Sequence, residues 1–313
     1  MKFLASLLIC SSGILSLFAQ DANELFQTGN TLSASGKSRE AIKYFTKAIE
    51  ADDHQPQYFL ERAKAYKETH DYNLAYADLV NAIKLDNTFA EAFYERALLF
   101  GNADRYREAI NDLDVALKYA VDDKVKYKAL SHRSSYRLST RNFRGSYEDG
   151  LECYMHDSSD YKILNNMALA KMEMGAGDEG LTLLFPVLED HPKDTMVLNN
   201  IGYISLRLEK YDTALVYLQK ARRLDPKNSY ALSNLSFAKL KTGNVKEALK
   251  DINESIKYDG KNSYAFLNRA YIYLEMEDKS KACDDLKTAL RLGFTDLYGN
   301  EVLDLLDKHC NKK

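Results

Sequence analysis

Four asparagines, Asn166, Asn200, Asn234 and Asn268, follow one another at a constant step of thirty-four residues. Asparagine is a mediocre helix former, yet its carboxamide offers one acceptor and two donors, which suits an extended peptide backbone. A second recurrence carries charge. Arg62, Arg96, Arg133 and Arg269 are each followed sixteen residues later by an aspartate, at Asp78, Asp112, Asp149 and Asp285. A partly buried guanidinium needs a carboxylate, so these pairs are expected to be structural bridges between neighbouring helices.

Residues that could catalyse or bind metal do not converge in the same way. His54, His70, His132, His156, His191 and His309 are scattered, and the only close metal-like spacing joins Cys153 to His156. Two ligands on one helix fall short of a site. HExxH, a phosphate loop, GxSxG and a convergent Ser/His/Asp set are all missing from the sequence. The expectation is a protein without catalysis, cofactor or metal.

Composition describes the scaffold that carries these residues. The 313 residues are 45% hydrophobic and 28% charged, with four prolines and fourteen glycines, a balance that favours helix. That length accommodates two ordinary domains or one extended array. The formal charge of -3 argues against general nucleic-acid binding. Residues 1–19 of "MKFLASLLICSSGILSLFAQ" resemble a secretory signal cleaved after Ala19, which predicts a periplasmic or extracellular protein. Their apolar run is shorter than the ~20 residues a membrane span needs. Ile9 stands where a lipoprotein site at Cys10 would carry a small residue. Cys153, Cys283 and Cys310 then remain, enough for one intramolecular bridge at most.

The thirty-four-residue step pervades the chain. Small residues recur at Ala41, Ala75, Ala109, Gly180, Ala214, Ala248 and Ala282, and most have a second two turns later, as at Ala48, Ala82, Ala116, Ala221, Ser255 and Ala289. Between them lie Phe45, Leu79, Leu113, Leu184, Leu218, Ile252 and Leu286. An upstream helix carries Gly29, Ala63, Ala97, Ala168, Gly202, Ser236 and Ala270, and turn residues such as "SGKSRE", "EKYD" and "TGNVK" separate the two. Each unit is thus a helical hairpin that must stack on its neighbours to bury its apolar face.

This pattern, with Pro192 and Pro226 ending their units, resembles the tetratricopeptide repeat (TPR) family. The resemblance implies an all-α fold, a right-handed TPR superhelix (α-solenoid) of eight helical hairpins plus a C-terminal capping helix. Units 1–3 would occupy 22–123, an irregular fourth unit 124–160, units 5–8 161–296, and the cap and tail 297–313. The fourth has Ser134, Ser146, Gly150 and Cys153 at packing positions, hence a thin core. Its neighbourhood from Lys124 to Arg144 holds seven basic residues and no acid, either an anion site or a solvated face. Cys283 should face the cap that contains Cys310, giving a bridge or two separately buried thiols.

In that family the first helix of each hairpin lines a concave surface. The four asparagines would occupy its sixth position, either as peptide ligands or as a packing feature of the repeat. Tyr203, Phe237 and Tyr271 lie one turn further on, and Met196, Tyr230 and Tyr264 hold the second position. Rings beside amides suit an extended peptide; the same rings could pack between helices or self-associate. The family's clamp for a C-terminal carboxylate is incomplete, since Asn30 is accompanied by Phe26 rather than lysine. The expected function is a protein-interaction scaffold, with a constitutive subunit of an envelope complex or homo-oligomer as the alternative. The "FAQ" junction and the "KHC" ending resemble envelope TPR proteins of Bacteroidetes-type bacteria.

Overall fold

The computed structural model describes residues 21–157 and 160–310; the signal-like segment 1–19 and the tail 311–313 lie outside them. The described residues form helices and turns that divide into two compact units, one ending at Ala129 and one beginning at Leu130. In the first unit, α1 (Ala22–Ala34) pairs with α2 (Ser38–Ala51), α3 (Pro56–Glu68) with α4 (Tyr72–Leu85), and α5 (Ala90–Asn102) with α6 (Tyr106–Tyr119). The chain passes between units within α7 (Asp123–Ser139). In the second unit come α8 (Phe143–His156), α9 (Lys162–Glu173), α10 (Gly177–Asp190), α11 (Thr195–Arg207), α12 (Tyr211–Leu224), α13 (Ser229–Lys241) and α14 (Val245–Tyr258). They are followed by α15 (Ser263–Glu275), α16 (Lys279–Arg291), α17 (Phe294–Tyr298) and α18 (Glu301–His309).

The small and large apolar residues of the repeat are what the hairpins bury. Ala214, Leu218 and Ala221 fall on one face of α12 and are all buried; Ala248, Ile252 and Ser255 do the same on α14. Several first helices start at side-chain caps, among them α11, where Asp194 accepts from the Met196 and Val197 amides, and α15, where Asn262 accepts from those of Tyr264 and Ala265. The turn between the two helices of every hairpin contains one left-handed residue at the same register: Gly36, His70, Asp104, Arg141, Gly175, Glu209, Gly243 and Glu277. Gly175 and Gly243 supply that conformation without the Cβ clash that costs other residues on the order of 1 kcal/mol.

The arginine and aspartate pairs close four hairpins. Nε and Nη2 of Arg62 each donate to Asp78 at 2.7 Å, and Arg96 with Asp112, Arg133 with Asp149 and Arg269 with Asp285 repeat the two-point geometry. In the irregular unit Arg137 adds a third donor to Asp149, and Ser134 donates to the Ser146 carbonyl at 2.8 Å. The three residues that break the thirty-four-residue step lengthen α7, which begins at Asp123 and runs for 17 residues against 13 in α5 and α11. At the C-terminus a short α17 stands between the last hairpin and α18, so the closing segment starts at Phe294, before the expected 297.

Candidate functional site

Within the second unit, α9, α11, α13 and α15 touch one another from hairpin to hairpin, whereas α10, α12, α14 and α16 are the outer partners. The first helices thus form an inner row, and the predicted ligand positions lie along it. Asn200, Asn234 and Asn268 are buried and Asn166 is half-buried. Asn200 Nδ2 donates to Asn165 Oδ1 at 2.9 Å, Asn234 Nδ2 to Asn199 Oδ1 at 3.0 Å, and Asn268 Nδ2 to Ser233 Oγ at 3.0 Å. Each amide therefore spends a donor on the hairpin before it. The partners Asn165, Asn199 and Ser233 recur at the fifth position, a polar signal that accompanies the asparagines in the sequence and was missed.

The aromatic residues do come together. The rings of Tyr203 on α11 and Tyr264 on α15 approach to 6.2 Å, and those of Phe237 on α13 and Tyr271 on α15 to 5.6 Å. Met196 and Tyr230, at the starts of α11 and α13, leave 47% and 55% of their surfaces exposed. The unforeseen members come from the C-terminal segment and from helix ends. Phe294, fully buried, stacks on Tyr264 at 5.9 Å, and Tyr298 meets Tyr264 edge-on at 5.2 Å. Tyr203 donates to Glu173 Oε1 at 3.4 Å, Tyr271 to Glu301 Oε1 at 2.5 Å, and Arg207 bonds the Tyr264 hydroxyl.

Burial is the first cause of the tyrosines' perturbation. It pushes Tyr264 up to about 12, opposed by Arg207, and Tyr298 up to about 12, reinforced by Tyr230, Tyr264 and Glu173. Tyr203 and Tyr271 are raised as well, chiefly by burial, and for Tyr271 also by its bond to Glu301. The neutral hydroxyls of Tyr203 and Tyr271 donate, whereas that of Tyr264 accepts from Arg207.

Elsewhere, Cys283 on α16 and Cys310 after α18 are joined as a disulfide. Cys153 is buried, and burial together with Asp149 pushes its thiol up to about 12, whereas His156 is exposed. In the basic stretch, Arg133 and Arg137 are committed to Asp149. Among the described residues, the one trio of possible metal ligands, Asp52, Asp53 and His54, lies in the turn after α2 with His54 already against Asp53 at 2.7 Å.

Sequence profiles of the tetratricopeptide repeat match residues 25–55, 205–270 and 263–292. Serine/threonine-protein phosphatase T of Aspergillus oryzae is 31% identical over 97 residues, which are 31% of this chain and 20% of that protein. The chain thus spans about a fifth of that relative's length. Among solved structures, yeast Tom70 resembles 93% of this chain over 64% of its own, with a TM-score of 0.56 and 17% identity. Cut9–Hcn1 of the APC/C covers 94% of this chain and 57% of its own, with a TM-score of 0.61 and 15% identity. At such identities the structures speak to fold alone. Hairpin geometry, profile matches and structural neighbours agree that the chain has an all-α fold built of tetratricopeptide repeats.

Proposed function

We propose that the chain is a non-enzymatic interaction scaffold that takes a protein or extended peptide along the inner row of its second unit. The observation that supports this most is the exposure of Met196 and Tyr230 beside the half-buried rings of Tyr203, Phe237, Tyr264 and Tyr271. An amphipathic ring buries apolar area while keeping a polar end for hydrogen bonding, and methionine adapts to irregular side chains. Asn200, Asn234 and Asn268 set the spacing of the row through their bonds to the preceding hairpin, and Asn166 holds the same register on α9, half-buried. No nucleic acid, metal or cofactor is part of this reading.

The second reading is a constitutive subunit of an envelope complex or homo-oligomer. It draws support from the same exposed Met196 and Tyr230, which a further copy of the chain would cover. In either case the proposed location is periplasmic or extracellular, which rests on residues 1–19; N-terminal sequencing of the exported chain should begin at Gln20.

Replacing Tyr230 with the photocrosslinker p-benzoylphenylalanine in the producing cell tests the two readings together. A crosslink to a different polypeptide supports the scaffold, and a crosslink only to further copies of the chain supports the oligomer. Irradiation that yields uncrosslinked chain alone removes the inner row as a contact surface.

A further inference from the structure

We propose that the segment from Phe294 to Cys310 is a lid over the inner row, and that the Cys283–Cys310 bridge is the clasp that holds it shut. Its significance for binding rests on the scaffold reading above, whereas the lid itself can be measured without any partner.

The segment leaves α16 through Gly293, whose left-handed backbone turns the chain sharply back. It then places Phe294 and Tyr298 on Tyr264, the ring that leads the inner face of α15. Glu301, at the start of α18, receives the Tyr271 hydroxyl. Between them Gly299 lies against Arg141: a Cβ at that glycine would stand 3.6 Å from Nη2. Arg141 belongs to the turn between α7 and α8, so a segment attached to the last hairpin reaches the first hairpin turn of this unit. Five inner-row or turn groups, Tyr203, Arg207, Tyr264, Tyr271 and Arg141, are thereby brought against or near one short stretch of chain.

What secures the far end is slight by comparison. α18 has nine residues, too few to hold a helix unaided, and it buries only Val302 and Leu306. Its last turn is fixed covalently by Cys310 to Cys283 on α16. A dithiol reductant would open this clasp. One of its thiolates attacks a cysteine sulfur, the Cys283–Cys310 S–S bond breaks, and a mixed disulfide forms. The second thiolate resolves that intermediate, leaving two cysteine thiols and an oxidised, cyclised reductant. Two electrons and two protons have passed to the protein. With its tether cut, α18 frays, Glu301 leaves Tyr271, and Tyr264 and Tyr271 become accessible.

The experiment is hydrogen exchange of the oxidised full chain, of the same chain held in dithiothreitol, and of the double variant Cys283→Ser/Cys310→Ser. 1-Anilinonaphthalene-8-sulfonate serves as the probe for uncovered apolar surface. The expected result is exchange at least tenfold faster across 294–309 and at the N-terminal half of α15 in both reduced and substituted forms. Dye fluorescence rises, while α9–α13 and overall helix content stay unchanged. Unaltered exchange across 294–309 after verified reduction overturns the proposal. So does acceleration spread over all of α9–α16 with loss of helix, because the bridge would then be a general staple of the unit. Retained lid opening with no crosslink from position 230 would reject the scaffold reading and leave the lid standing.

Discussion

Asp251 shows how strictly a buried carboxylate is compensated here. Its hairpin has Leu235 where others carry the pairing arginine. The charge is met instead by Arg222 from the preceding hairpin at 2.7 Å and Lys239 from its own first helix at 2.5 Å. The same logic sets the expected cost of Arg269→Ala. That change strands Asp285, which is 5% exposed, and should cost about 3–5 kcal/mol in urea denaturation. Arg269→Met combined with Asp285→Leu should recover most of that loss, since no charge is then left unpaired. The tyrosines supply a pH dependence. A free tyrosine ionises near 10, and the fold holds Tyr264 and Tyr298 neutral up to about 12. The raised values favour the protonated folded state, so their stabilisation is complete below about pH 10 and is lost as the pH climbs through 12. Phenolate absorbance should show a late phase near pH 12 that coincides with loss of helical circular dichroism. The sixteen-residue arginine–aspartate spacing was legible because both partners belong to one hairpin. The asparagine bonds were harder to read, because each joins residues thirty-five apart in neighbouring hairpins and sequence spacing alone does not separate a packing amide from a ligand.

Two glycines separate the helices that need one from those that tolerate one. A Cβ at Gly180 of α10 would lie 2.6 Å from the Ala168 carbonyl oxygen, backbone that cannot step aside. At Gly202 of α11 the obstacle is the Leu218 side chain at 2.4 Å, which can change rotamer. Gly180→Ala is therefore expected to lower the thermal midpoint more than Gly202→Ala, by a stability difference of about 1–3 kcal/mol. In the second case improved helix propensity offsets part of the strain. At this scale the repeat was readable almost throughout, because small and large residues alternate at fixed register on each buried face. Two elements departed from it for local reasons. The start of α7 absorbed the inserted residues as extra helix, and α17 formed where Gly293 and Gly299, with φ of 81° and 98°, bracket five residues that bury Phe294. Phe294 follows no repeat position, so nothing periodic announced it.

A chain of repeats derives its stability from each hairpin and from the interface with the next, so its ends are the natural places to begin unfolding. The bridge links residues separated by 27 positions, and in the chain-entropy account such a closure is worth about 3.5 kcal/mol. Cys283→Ser with Cys310→Ser should accordingly lower the urea midpoint of the 294–309 segment and leave those of α9–α13 and of the first unit in place, read by hydrogen exchange resolved by segment. The one free thiol among the described residues, Cys153, bears on this covalent topology. Disulfide exchange needs a thiolate, and with its pKa near 12 Cys153 ionises in only about one molecule in 10⁵ at neutral pH. While the second unit stays folded, an odd cysteine therefore poses little danger of scrambling: the protein can carry a reducible bond and a spare sulfur together, and the choice of partners is settled by burial before any oxidant arrives.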